Sequence, residues 1–169
     1  FTPAGGVMMG TRSGDLDPGV LVHLVEERGY DADALRRLVD FESGLLGVSG
    51  LTSDMQTLLE RRRAEPAGPA ALAVQMFCRR LRMQVGAYAA ELGGLSALVF
   101  TGGIGEHSAQ VRAEVCAGLD HLGIVLDPAR NGAHAAVISW DGAGCAVRVV
   151  PADEESTIAR HTWAVLAAD

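Results

Sequence analysis

Apolar residues recur at helical spacing through most of the first ninety positions and then give way to short continuous runs. Val20, Leu21, Leu24 and Val25 share one face of a stretch that Asp17-Pro18 opens and Gly29 closes, which predicts a helix over 18–28. Asp31 or Asp33 opens a second helix with Leu35, Leu38 and Val39 inward and Gly44 at its end, and residues 45–50 read as a glycine-broken apolar loop. Ser53-Asp54-Met55-Gln56 has the capping-box pattern of serine followed three residues later by glutamine, so a third helix runs from there to about Ala64. The longest helix is expected from about Ala70 to Leu92, where Val74, Phe77, Leu81, Val85, Tyr88 and Leu92 face inward and Arg79, Arg80 and Arg82 face out.

From Leu95 the period changes. Residues 95–100 read as a buried strand, the glycines at 102, 103 and 105 as a tight turn, and Ser108 as the start of a helix through Val111, Val115, Leu119 and Leu122. Short strands are expected over 123–127, 135–139 and 145–150, with turns at Asp127-Pro128 and Asn131-Gly132, and Asp153 leads a last helix through Ile158, Thr162 and Val165. The class is α/β.

Composition narrows the possible partners. The chain has 169 residues, of which 49% are hydrophobic and 21% charged, and its net charge is −7. That balance excludes nucleic acid or an anionic membrane as a general partner, because both reward clustered Lys and Arg. The basic run Arg61-Arg62-Arg63 closes a predicted helix, where positive charge suits the end of the helix dipole. No apolar run reaches the roughly 20 residues that span a bilayer, and no basic-then-apolar leader opens the sequence, so the expected location is cytoplasmic. Cys78, Cys116 and Cys145 are far apart and read as small core residues, and the histidines fall at no metal-ligand spacing. The sequence starts at Phe1 inside what reads as a continuing motif, so a fragment is expected.

Three stretches carry candidate chemistry. Strand, glycines and helix around 95–108 form an arrangement that often receives phosphates or nucleotides, since glycine lets a backbone approach a ligand closely. A plain αβ turn is the ordinary structural alternative. The stretch also has part of the dinucleotide-binding G-x-G-x-x-G pattern, with Asp127 where a ribose-binding acid would stand, although its third glycine is replaced by Ser108. Arg12, flanked by glycines in Gly10-Thr11-Arg12-Ser13-Gly14, either pairs with Asp15 or offers a planar guanidinium to an anion. Asp153-Glu154-Glu155 suits a first helical turn electrostatically, and a carboxylate at such a strand-to-helix corner can also serve magnesium.

Taken in order, Met8-Met9-Gly10-Thr11-Arg12-Ser13-Gly14-Asp15-Leu16-Asp17-Pro18, then Val99-Phe100-Thr101-Gly102-Gly103-Ile104-Gly105-Glu106-His107-Ser108, then residues 147–155 with Ile158-Ala159-Arg160, resemble the C-terminal part of acetate kinase. The resemblance covers essentially the whole chain. It implies part of the C-terminal domain of the sugar kinase, Hsp70 and actin (ribonuclease H-like) fold, an incomplete sheet with several helices. The family's N-terminal domain and the first strands of its C-terminal domain would lie outside these residues. The implied activity is phosphoryl transfer between ATP and acetate, giving acetyl phosphate and ADP, with Mg2+ as cofactor and a homodimer as the intact enzyme.

By the same resemblance Arg12 is the catalytic arginine, and Asp54, Met55 and Gln56 contact the nucleotide. Gly103, Ile104, Gly105, Glu106 and His107 form the adenosine-binding turn, and Glu154 is the magnesium-linked glutamate. Two positions depart from the family: Gln56 stands where arginine is usual, and His107 where asparagine is usual. Propionate or butyrate kinase is the nearest alternative, a non-catalytic nucleotide-binding or dimerisation fragment another, and a Rossmann dehydrogenase a third. Without an N-terminal domain the chain alone is expected to be inactive.

Overall fold

A computed structural model describes residues 3–167, and the chain divides into two compact units, residues 1–94 and 95–169. The first is helical. Helix α1 (Pro18–Arg28) starts at Asp17, whose carboxylate accepts the Gly19 N–H, and stops at Gly29 in the left-handed conformation, as the local signals predict. Its apolar face is less covered than expected: Leu21 and Leu24 are half-buried, while Val20 and Val25 are exposed. Helix α2 (Ala32–Phe41) is capped by Asp31 through the Ala34 N–H.

The next stretch differs from its expected form. Gly44 begins a helix instead of ending one: residues 44–49 form α3 (Gly44–Ser49), with Leu45 fully buried. Helix α4 (Met55–Ala64) is capped by Asp54, which accepts the Thr57 N–H at 2.7 Å, so Ser53 and Gln56 do not make the predicted capping box. A carboxylate that takes a backbone N–H beats a serine hydroxyl one residue earlier, and hydrogen bonding from Thr57, its side chain first and its backbone N–H second, holds the Asp54 pKa below its ordinary value. Helix α5 (Pro69–Glu91) packs its first half against α3 and α4, where Ala73, Val74, Phe77 and Cys78 meet Leu45, Met55, Leu58 and Leu59 in the core. Its second half is thinly covered, with Tyr88 and Leu92 exposed instead of inward.

The second unit is built on two parallel strands, β1 (Ala97–Phe100) and β2 (Ala146–Val149), in register from Ala97 opposite Ala146 to Phe100 opposite Val149. β2 alternates, with Val147 and Val149 buried and Ala146 and Arg148 exposed. β1 is not the fully buried strand expected: Leu98 and Phe100 are half-buried and Val99 is exposed, because only β2 pairs with it among the described residues. Between them run α6 (Gly102–His107), α7 (Ala109–Cys116), a 3-10 turn at 120–122 and α8 (Pro128–Gly132). After β2 comes α9 (Glu154–Leu166), which has no buried residue.

Several local expectations change here too. The glycines at 102, 103 and 105 lie within α6, not in a turn before a helix. The expected strands at 123–127 and 135–139 reduce to isolated bridges, Leu126 with Ser139 and Val137 with Arg148. The turn signals at 127–132 form α8, because Asp127 caps it by accepting the Ala129 and Arg130 N–H groups. All three cysteines are buried and none forms a disulfide among the described residues, as core residues should be. Among the described residues no helix is long and apolar enough to cross a membrane.

Candidate functional site

The second unit holds an open pocket of about 460 Å3 just beyond the carboxyl ends of β1 and β2. That is where open α/β sheets usually hold ligands, because adjacent parallel strands release their chains side by side. One wall is Gly102, Gly103, Glu106 and His107 from α6, and the other is residues 152–155 at the start of α9. Gly103, Glu106, His107 and Glu154, which are far apart in sequence, therefore come together.

Gly103 puts no side chain on the α6 wall of the pocket. A Cβ built there would meet nothing within 4 Å, so any side chain would project into free space instead of into protein. Gly105 serves another purpose. It lies against Phe100, where a Cβ would make an ordinary contact 3.4 Å from the Phe100 carbonyl carbon, so α6 packs on the end of β1 at this residue. Ile104 is half-buried and, with Gly105, lies outside the pocket lining.

Behind α6 stands a residue that the sequence reading passed over. Arg112 on α7 is fully buried. Its Nη1 donates to the Gly105 and Glu106 carbonyls at 2.8 Å each, Nε to Asn131 Oδ1 and Nη2 to the Asn131 carbonyl, both at 2.8 Å. Asn131 in turn donates from Nδ2 to the Ala109 carbonyl, and His134 Nδ1 lies 2.9 Å from the Glu106 carbonyl. Burial lowers the Arg112 pKa, but an arginine begins so high that it stays charged. Its position on the polar side of a predicted helix looks ordinary. Only its partners nineteen residues on reveal its work.

At the acidic wall, Asp153 caps α9 by accepting the Ser156 N–H, which leaves Glu154 and Glu155 in the exposed first turn. Among the described residues no three His, Cys, Asp or Glu side chains are grouped to hold a metal by themselves. Glu154 suits magnesium only as a single carboxylate. That is how magnesium is commonly held when phosphates and water complete its shell.

The remaining predicted residues belong to the first unit. Arg12 is half-buried on a loop clamped from several directions. Leu45 and Leu46 N–H groups donate to the Met9 and Gly10 carbonyls, Ser43 N–H to Thr11, Ser13 N–H to Val39, and Met9 N–H to Arg12. The Asp15 carboxylate accepts the Gly6 N–H, and no ion pair with Arg12 forms among the described residues, so the paired alternative is set aside. Asp54 is committed to its cap, Met55 is buried in the helical core, and Gln56 is exposed. Asp127, the acid a dinucleotide fold would need, is committed to capping α8.

Comparison with known proteins gives a consistent result. The model of the acetokinase family matches residues 1–160. Propionate kinase of Citrobacter rodentium is 45% identical over 170 residues, covering 100% of this chain and 42% of that protein. Acetate kinase of Rhodopseudomonas palustris is 46% identical over 165 residues, covering 96% of this chain and 40% of that protein. Among solved structures, Porphyromonas gingivalis acetate kinase superposes with a TM-score of 0.88 at 44% identity, over 98% of this chain and 42% of that one. Entamoeba histolytica acetate kinase gives 0.87 at 30% identity, over 95% and 43%. The chain thus spans about two-fifths of the length of the relatives it matches.

Proposed function

This chain belongs to the acetokinase family, and from that premise we propose that its α6–α9 pocket receives the nucleotide of an ATP-dependent phosphoryl transfer to acetate. The observation that supports this reading is the meeting of Gly103, Glu106, His107 and Glu154 around one open space. An unobstructed glycine gives a flat base or ribose room to approach. Glu154 offers a carboxylate to the magnesium that accompanies nucleotide phosphates, and that ion supplies charge neutralisation when bound.

In the proposed reaction a carboxylate oxygen of acetate attacks the γ-phosphorus of ATP, and the bond to the β,γ-bridging oxygen breaks, giving acetyl phosphate and ADP. Negative charge spreads over the transferring group, so a fixed guanidinium is the group that would carry most of the effect. Arg12 is the residue proposed for it, and the bonds that clamp its loop fix the backbone from which the guanidinium extends. Asp54, Met55 and Gln56 are proposed to approach the nucleotide as well. For buried Met55 any such contact runs through its backbone. Propionate is the second acyl substrate to test, because one of the close relatives is a propionate kinase.

As proposed, these residues are the C-terminal portion of a cytoplasmic, homodimeric enzyme, and alone they turn over no ATP with acetate. Nucleotide class is the direct test. ADP with magnesium should give saturable heat on titration into this chain and NAD none; heat from NAD but not from ADP would restore the dehydrogenase alternative.

A further inference from the structure

Glu106 sits in the last turn of α6 with its two ends engaged on opposite sides. Its backbone carbonyl accepts from buried Arg112 at 2.8 Å. Its side chain reaches across the pocket, where Oε1 accepts the Ala152 N–H at 2.9 Å. Ala152 belongs to the exposed segment between β2 and α9, so this bond ties together two walls that are 46 residues apart in sequence.

We propose that Glu106 is a positioning residue that sets the width of the pocket, with Arg112 as the anchor that fixes Glu106 in turn. The chain of bonds runs from Asn131 through Arg112 and the Glu106 backbone to Ala152. Each link is needed for a reason. The 150–153 segment is otherwise held by the Val150 N–H on the Phe100 carbonyl and by the Asp153 cap, neither of which restrains it sideways toward α6. Six-residue α6 is too short to be rigid alone, and Arg112 supplies the missing restraint by binding two of its last carbonyls.

The inference rests on the nucleotide reading for its ligand but not for its architecture, so the test reads both. Amide hydrogen exchange at Ala152 reports the strap without any ligand, and calorimetry with Mg-ADP reports its effect on binding. In Glu106→Ala, Ala152 should exchange about tenfold faster and ADP should bind about tenfold more weakly, the size expected for one hydrogen bond to a charged group. Glu106→Gln keeps an acceptor oxygen and should bring both back to within about threefold of the wild type, since a neutral acceptor bonds about half as strongly as a carboxylate.

Unchanged exchange at Ala152 in Glu106→Ala overturns the strap. A Glu106→Gln variant as weak in binding as Glu106→Ala also overturns it, because charge and not position would then be at work. If the wild-type chain takes no ADP, the nucleotide reading fails, while faster Ala152 exchange in Glu106→Ala alone still supports the strap.

Discussion

Gly44→Ala should destabilise the protein by about 3 kcal/mol, whereas Gly50→Ala should cost about 1 kcal/mol. The two glycines bracket α3 and have the same φ of 63°, a conformation that penalises any Cβ. They differ in what surrounds them. A Cβ at Gly50 would meet nothing within 4 Å; at Gly44 it would stand 2.8 Å from the Arg12 carbonyl oxygen and 3.0 Å from that of Gly10, and closer still to that of Met9.

All three of those oxygens are backbone atoms of the loop that carries Arg12, and the Met9 and Gly10 oxygens are already held by N–H groups of α3. The loop cannot yield without losing those bonds. The difference between the two variants in urea unfolding therefore isolates the close approach from the shared φ cost. Equal losses would mean the loop moves aside freely and is not the clamped platform described here.

Arg112→Met should cost about 4 kcal/mol, from several buried oxygens that lose a charged donor. The guanidinium satisfies the carbonyls of Gly105, Glu106 and Asn131 together with Asn131 Oδ1, and methionine fills much of the space but donates to none of them. Arg130→Met is the control. That arginine pairs with Asp141 at 2.7 Å, but the Asp141 side chain is 82% exposed, and water replaces such a pair readily. Chemical denaturation should show a large fall in midpoint for the first variant and little change for the second. Similar small changes in both would show that water reaches the Arg112 site and that α6 is not anchored there.

How far the fold was legible follows from the range of each signal. Helix α1 could be bounded to the residue because Asp17, Pro18 and Gly29 act within a turn of the ends they define. Gly44 was misread for the opposite reason: a glycine after a helix looks like a stop, and only the Met9–Arg12 loop, more than thirty residues earlier, shows that it permits a close approach. The glycines of α6 looked like a turn because glycine disfavours helix, but Gly102 absorbs the one left-handed angle and Arg112 holds the far end of the segment.

The candidate site was legible as two motifs, 102–107 and 153–155, and the parallel pairing of β1 with β2 brings their ends together. Arg112, Asn131 and His134 were not legible. Hydrophobic periodicity carries no information about polar partners nineteen or more positions apart, and an arginine between Val111 and Val115 reads as a solvated side chain.

The claim at the centre of this account is that the open space above Gly103 receives a nucleotide. Titration of Mg-ADP into the wild-type chain and into Gly103→Val tests it most directly, since the valine would meet no protein atom within 4 Å of its Cβ and should leave folding intact. The account predicts saturable binding in the wild type and affinity at least about tenfold weaker in Gly103→Val, with matching thermal melts. Equal binding by the two would contradict it, placing the nucleotide somewhere other than this pocket.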